Sequence, residues 1–224
     1  MFLIPIPLYD TPRLQGHRPW IVWTLIAVNA WIFFALVLRS FDPSGGPEIS
    51  FDAALSAWGF RPAAPTVSTA FASMFLHADV LHLFGNMLYL WIFGDNVEAR
   101  LGRVGFLLTY LVGGCAAVAL HSLLSGSPTV PLVGASGAVS GLLGAYLVFF
   151  PGNRVVIGYV GAFLLFVRWG TVALPAIVVL LFYLMYENLL PAALGLGGPV
   201  AYGAHIGGFL FGAGLAGLVR RFRP

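Results

Sequence analysis

Apolar runs and short polar breaks alternate along most of this chain. Six runs, about 20–38, 80–96, 104–124, 135–150, 171–189 and 201–219, read as helices, most of them near the roughly 20 residues that a bilayer core needs. The fourth is short. Its sixteen residues reach only about 24 Å, and Pro151-Gly152-Asn153 stops it. Such a helix starts below one membrane surface, so the loop before it, about 125–134, has to dip into the protein. Irregular backbone at that depth is tolerated only where it lines protein or a water-filled cavity. Residues 155–167, bracketed by Arg154 and Arg168, are too few to span and are expected to lie in the interface or re-enter. The one long connection, 40–79, carries Phe51 to Phe60, which read as a short amphipathic helix on the membrane surface.

Composition turns this pattern into a class. Of 224 residues, 59% are hydrophobic and 8% charged, against roughly 25% charged in a soluble domain. The expectation is an all-α, multi-pass membrane protein forming a single domain over 1–224. A net charge of +3 does not point to nucleic acid. Arg13, Arg18, Arg100, Arg103, Arg154, Arg168, Arg220, Arg221 and Arg223 fall on one side of the six-span path, and Arg39 and Arg61 on the other. By the positive-inside rule both termini are cytoplasmic and the 40–79 loop is external. Residues 1–9 lack a basic start and hold Pro5 and Pro7, so they do not read as a cleaved signal peptide. Cys115 is the lone cysteine, which excludes a disulfide framework and a cysteine metal site.

That path brings groups of catalytic type to one depth. The second, fourth and sixth runs all enter from outside, and their first turns carry His82 with Asn86, then Ser136, then His205. Polar groups inside a membrane are costly and commonly functional. Ser136 begins a helix amid glycines, where free N–H groups and the helix dipole favour negative charge. A serine and a histidine can form a nucleophile–base pair, and an asparagine can donate to an oxyanion. Each has a plainer reading. Gly137, Gly141 and Gly144 share a helix face, as do Gly208 and Gly212, and small residues so spaced pack helices closely. Ser136 is then a packing serine, and Asn86 and His205 bond neighbouring helices. A histidine zinc site is weaker, since three or four ligands at close spacing are wanted.

Read in order, Ser73-Met74-Phe75-Leu76-His77, His82-Leu83-Phe84-Gly85-Asn86, Glu98-Ala99-Arg100-Leu101-Gly102, Gly134-Ala135-Ser136-Gly137 and Ala204-His205-Ile206-Gly207-Gly208 with Gly212 resemble the rhomboid family of intramembrane serine proteases over about 68–215. The resemblance implies a six-helix bundle with a long external loop between its first two helices. It implies Ser136 as nucleophile, His205 as general base, and an oxyanion site from His82, Asn86 and the Ser136 N–H. His77, Glu98, Arg100, Gly134, Gly137, Gly208 and Gly212 come with it as structural positions. No cofactor or metal is implied. The partners are membrane lipid and membrane-anchored proteins cut in or near a transmembrane segment, and the location expected is a bacterial cell membrane. Two positions depart from the family. A Trp-Arg pair common in the outer loop is replaced by Ser68 and Thr69, and an aromatic four residues after the nucleophile by Ser140. His205 must therefore be oriented otherwise, by packing or by a neutral hydrogen bond involving Ser140. Asp79 and Glu187 are the only acids near its depth, and neither is expected to complete a triad. The fifth run and residues 190–200 are the expected gate. The alternatives are a non-catalytic client-binding protein of the same fold, or a transporter, for which internal repeats are missing.

Overall fold

The computed structural model describes residues 2–11, 16–41, 50–163, 166–194 and 201–222. The proline-rich start of the long loop with Asp42 and Glu48, the terminal Arg13 and Arg223, and most of the 190–200 gate lie outside the described residues.

In chain order come strand β1 (Phe2–Thr11) and helices α1 (Trp20–Ser40), α2 (Phe51–Trp58), α3 (Val67–Ala72), α4 (Val80–Leu124) and α5 (Ser136–Phe149). Strands β2 (Arg154–Phe163) and β3 (Phe166–Pro175) follow, then α6 (Ala176–Leu184), a π turn (Met185–Leu189), α7 (Leu190–Ala193) and α8 (Tyr202–Phe222). By length and composition α1, α4 and α8 can cross a membrane, and α5 is a shorter apolar helix. The long helix α4 is two arms: Gly102, at φ 73° and ψ 167°, breaks it where only glycine sits without strain. The core lies where α4, α5 and α8 meet α1, around Phe93, Phe106, Tyr110, Leu142, Leu143 and Tyr146.

The all-α expectation is corrected. β1, β2 and β3 form an antiparallel sheet in that order. The stretch 155–167, too short to span, is strand at its described residues. Residues 155–163 belong to β2 and 166–167 to its antiparallel partner β3, with Val155 opposite Leu174 and Ile157 opposite Val172. Adjacent β-branched residues favour an extended, paired backbone over a helix. The fifth run is corrected with it: 171–175 are strand, and the helix starts at Ala176. Pro5 and Pro7 cost the sheet little, because β1 is an edge strand.

The long loop holds α2, as expected, and α3 beyond it. The bridge between Phe60 and Leu132 (N···O 2.9 and 2.7 Å) ties this loop to the one before α5. Ala63 N–H donates to Pro128 O at 2.9 Å and Arg61 Nε to Thr129 O at 3.0 Å. These bonds tie the loop before α5 to the long loop, while residues 126–130 within it stay exposed.

Candidate active site

The approach to α5 is built to leave its first residue open. Gly134 takes φ +124°, a conformation that a side chain disfavours, and its N–H donates to Ser73 O at 2.9 Å. Ala135 N–H donates to His77 Nε2 at 3.5 Å. Ala135 then caps the helix without a side-chain hydrogen bond, so the N–H groups of its first turn stay free of one. Ser136 is the first helical residue, half-buried, and faces a pocket lined by Ser73, Met74, Leu132, Gly134 and Ala204.

His82 comes from the opposite side. Asp79 caps α4 by accepting from His82 N–H at 2.8 Å. A Cβ placed on Gly134 would come within 2.7 Å of the His82 ring and 3.6 Å of Ser136 Oγ. Both groups therefore border one small space, and Gly134 must lack a side chain for it to exist. The His77 and His82 rings meet edge to face, 5.2 Å apart. Asn86 lies one turn further along the same face of α4, buried, with Nδ2 donating to His82 O at 3.0 Å. Its second N–H is not used in that bond.

His205 is delivered by glycine packing. A Cβ on Gly208 would strike Gly137 O, one on Gly212 would strike Gly141 O, and one on Gly144 would strike Phe209 O. Helices α5 and α8 thus touch backbone to backbone. At the top of the seam Gly137 lies 3.7 Å (Cβ position) from Ala204 O, so the neighbours of Ser136 and His205 are in contact. No hydrogen bond joins Ser136 Oγ to the His205 ring among the described residues. Catalytic hydrogen bonds commonly close only when substrate is bound.

His205 is oriented by a neutral hydrogen bond, but not from Ser140. Its Nδ1 lies 2.7 Å from Asn188 Oδ1. Ser140 instead bonds Tyr183 OH at 2.7 Å, and the Tyr183 ring stands 6.3 Å from the His205 ring, tilted by 31°. Asn188 and Tyr183 went unnoticed in the sequence. The signal was present in Asn188, a polar residue late in an apolar run. Asp79 spends its carboxylate on the α4 cap, and the Glu187 side chain lies outside the described residues. Among the described residues no three His, Cys, Asp or Glu side chains cluster as a metal site would need.

The other motif residues stand at the far end. Glu98 is fully buried and accepts from Val22 N–H at 2.9 Å and Ile21 N–H at 3.3 Å, capping the start of α1. Arg100 lies over the Phe149 ring at 5.6 Å.

Residues 64–222 match the Rhomboid domain model. RHOMBOID-like protein 7 of Arabidopsis thaliana is 33% identical over 96% of this chain and 70% of its own length. Rhomboid protease GluP of Bacillus subtilis is 32% identical over 62% of the chain, and RHOMBOID-like protein 1 of Arabidopsis thaliana 34% over 69%. The aligned parts make up only 26% and 34% of those two relatives' lengths. The family model covers more than half of the chain, and the glycine seam, the Gly134 turn and the capped α4 start all fall inside the match: the chain belongs to the Rhomboid family.

Proposed function

We propose that this integral membrane protein is a serine endopeptidase that cuts membrane-anchored proteins in or near a transmembrane segment. Ser136 Oγ attacks the scissile carbonyl while His205 Nε2 takes its proton, and the same imidazolium then protonates the leaving amine. Water, activated by His205, attacks the acyl-enzyme and frees Ser136. The Ser136 N–H, the second N–H of Asn86 and His82 donate to the oxyanion. The bundle crosses a bacterial cell membrane six times, with both termini cytoplasmic and the site open to the outside, in line with the arginine distribution.

One observation carries this reading. Ser136 Oγ and the His82 ring border a single space beside Gly134, and the residues next to Ser136 and His205 touch across the α5–α8 seam.

A membrane-impermeant fluorophosphonate, applied to intact cells, tests activity and orientation together. Wild-type protein is expected to be labelled on Ser136. The purified Ser136→Ala and His205→Ala variants are each expected to lose cleavage of a transmembrane substrate while staying folded, because the two residues act as a unit. Full cleavage by Ser136→Ala would overturn the enzyme reading. Labelling only after the cells are opened would reverse the orientation. A wild-type protein that binds transmembrane peptide without labelling or cleavage would be a client-binding member of the family.

A further inference from the structure

The base of the proposed dyad has a partner that no motif of the chain announces. Asn188 is buried, 1% exposed, within the π turn Met185–Leu189. Such turns shift the helix face by one residue and recur at functional sites. Its side chain is held at both ends. Nδ2 donates to Tyr183 O at 2.8 Å, and Oδ1 lies 2.7 Å from His205 Nδ1.

Those two bonds decide which way the amide faces. A backbone carbonyl can only accept, so the atom on Tyr183 O must be the NH₂ group. The atom facing His205 is then the carbonyl oxygen, which can only accept. Nδ1 must carry the proton, and Nε2 keeps its lone pair. We propose that Asn188 is a positioning residue that holds His205 in the Nδ1–H tautomer, leaving Nε2 free to take the Ser136 proton. This rests on the protease reading above.

The anchor on Tyr183 is what makes an amide suitable here. An asparagine free to turn its NH₂ toward the base imposes the wrong tautomer, and in a serine protease triad that has cost about 10⁴ in kcat. An aspartate would accept without ambiguity, but a carboxylate at membrane depth is costly. Tyr183 serves twice, since its carbonyl fixes the amide while its hydroxyl is held by Ser140 and its ring stands beside His205. In this chain the orienting groups of the base thus come from the helix opposite α5, rather than from the position four residues after the nucleophile.

The test uses the purified full chain in bicelles with ¹⁵N-labelled histidine. Wild-type His205 is expected to give an amine-like Nδ1 and a pyridine-like Nε2 resonance. Asn188→Leu, similar in size but apolar, is expected to lose that single pattern and to lower kcat about 10–1000-fold, with KM changed less than about threefold. Asn188→Asp, which keeps an acceptor, is expected to retain kcat within about tenfold of wild type. A wild-type His205 protonated on Nε2, or an Asn188→Leu variant with unchanged ring signals and kcat, would overturn the proposal. The wild-type spectrum needs neither a folded variant nor catalysis. If the protease reading alone fails, the Nδ1–H signature persists while Ser136 takes no phosphonate.

Discussion

Ser136 opens α5 and Tyr146 stands ten residues further on, about 15 Å along the axis. Around Ser136 the polar side chains are mostly imidazoles and amides, namely His82, Asn86, Asn188 and His205, several of which spend hydrogen bonds on nearby backbone or on each other, and the Asp79 carboxylate there caps its own helix through His82 N–H. Around Tyr146 the carboxylates bond groups far away in sequence. Asp10 of β1 accepts from Tyr146 OH and, at 2.6 Å, from Asn96 Nδ2, and Asn153 Nδ2 donates to Tyr146 OH at 3.0 Å. Glu98, nearby on α4, accepts from the first turn of α1. One end ties separate parts of the chain together through charge. At the other the groups bond one another and nearby backbone, and among the described residues no hydrogen bond joins Ser136 Oγ to the His205 ring. The difference is one of use: the carboxylates at the Tyr146 end bond side chains and backbone far off in the chain, whereas Asp79 serves only the cap of its own helix. Changes at the Ser136 end should therefore cost activity, and changes at the Tyr146 end stability.

The largest effect is expected from Asn86→Ala. Losing one oxyanion donor lowers kcat by roughly 10–1000-fold, with little change in KM because the contact strengthens in the transition state. Steady-state kinetics on a transmembrane substrate, beside a melting curve, would check it. Unfolding without a kcat defect in the folded fraction would move Asn86 to the stabilising class and break the contrast.

Next comes Glu98→Ala, which strands two N–H groups at the start of α1 and removes a negative charge from its positive end. A loss of about 2–4 kcal/mol is expected from groups left unpaired in a buried site. Denaturant titration in detergent measures it. The turnover of the folded fraction should stay within about twofold of wild type. A large fall in kcat at unchanged stability would mean that the Tyr146 end feeds into the site.

What the sequence disclosed follows the same division. The apolar helices α1, α4 and α8 and the short α5 were legible because helix length and glycine spacing act locally on the chain. The sheet was not. Its pairing joins residues 2–11 to 154–163, and no local period shows which distant strand a β-branched run will find. At the site, Ser136, His82, Asn86 and His205 were legible as candidates because each is a polar residue near the start of an apolar helix. Asn188 escaped because a π turn, invisible in the apolar pattern, decides which way it points.

The smallest effect falls on His77, which sits at the Ser136 end but behaves like the groups at the other. It is buried in the turn before α4 and accepts from Ala135 N–H. Burial, and then the neighbouring His82, push its pKa from 6.5 down to about 3. Because the folded value is the lower one, the unfolded chain binds the extra proton between those limits. This contribution to stability is therefore complete above about pH 6.5 and shrinks as the pH falls toward 3, by up to about 1.4 kcal/mol per unit. Between pH 7 and 5 the loss from this residue amounts to about 2 kcal/mol. His77→Gln keeps a polar side chain that does not titrate. Its stability, measured in a Ser136→Ala background to prevent self-cleavage, should fall less over that interval than that of the Ser136→Ala parent. Parallel curves would show that His77 is protonated as readily in the folded protein as in the unfolded chain. Its bond to Ala135 would then not depend on a neutral ring, and His77 would no longer belong with the structural groups.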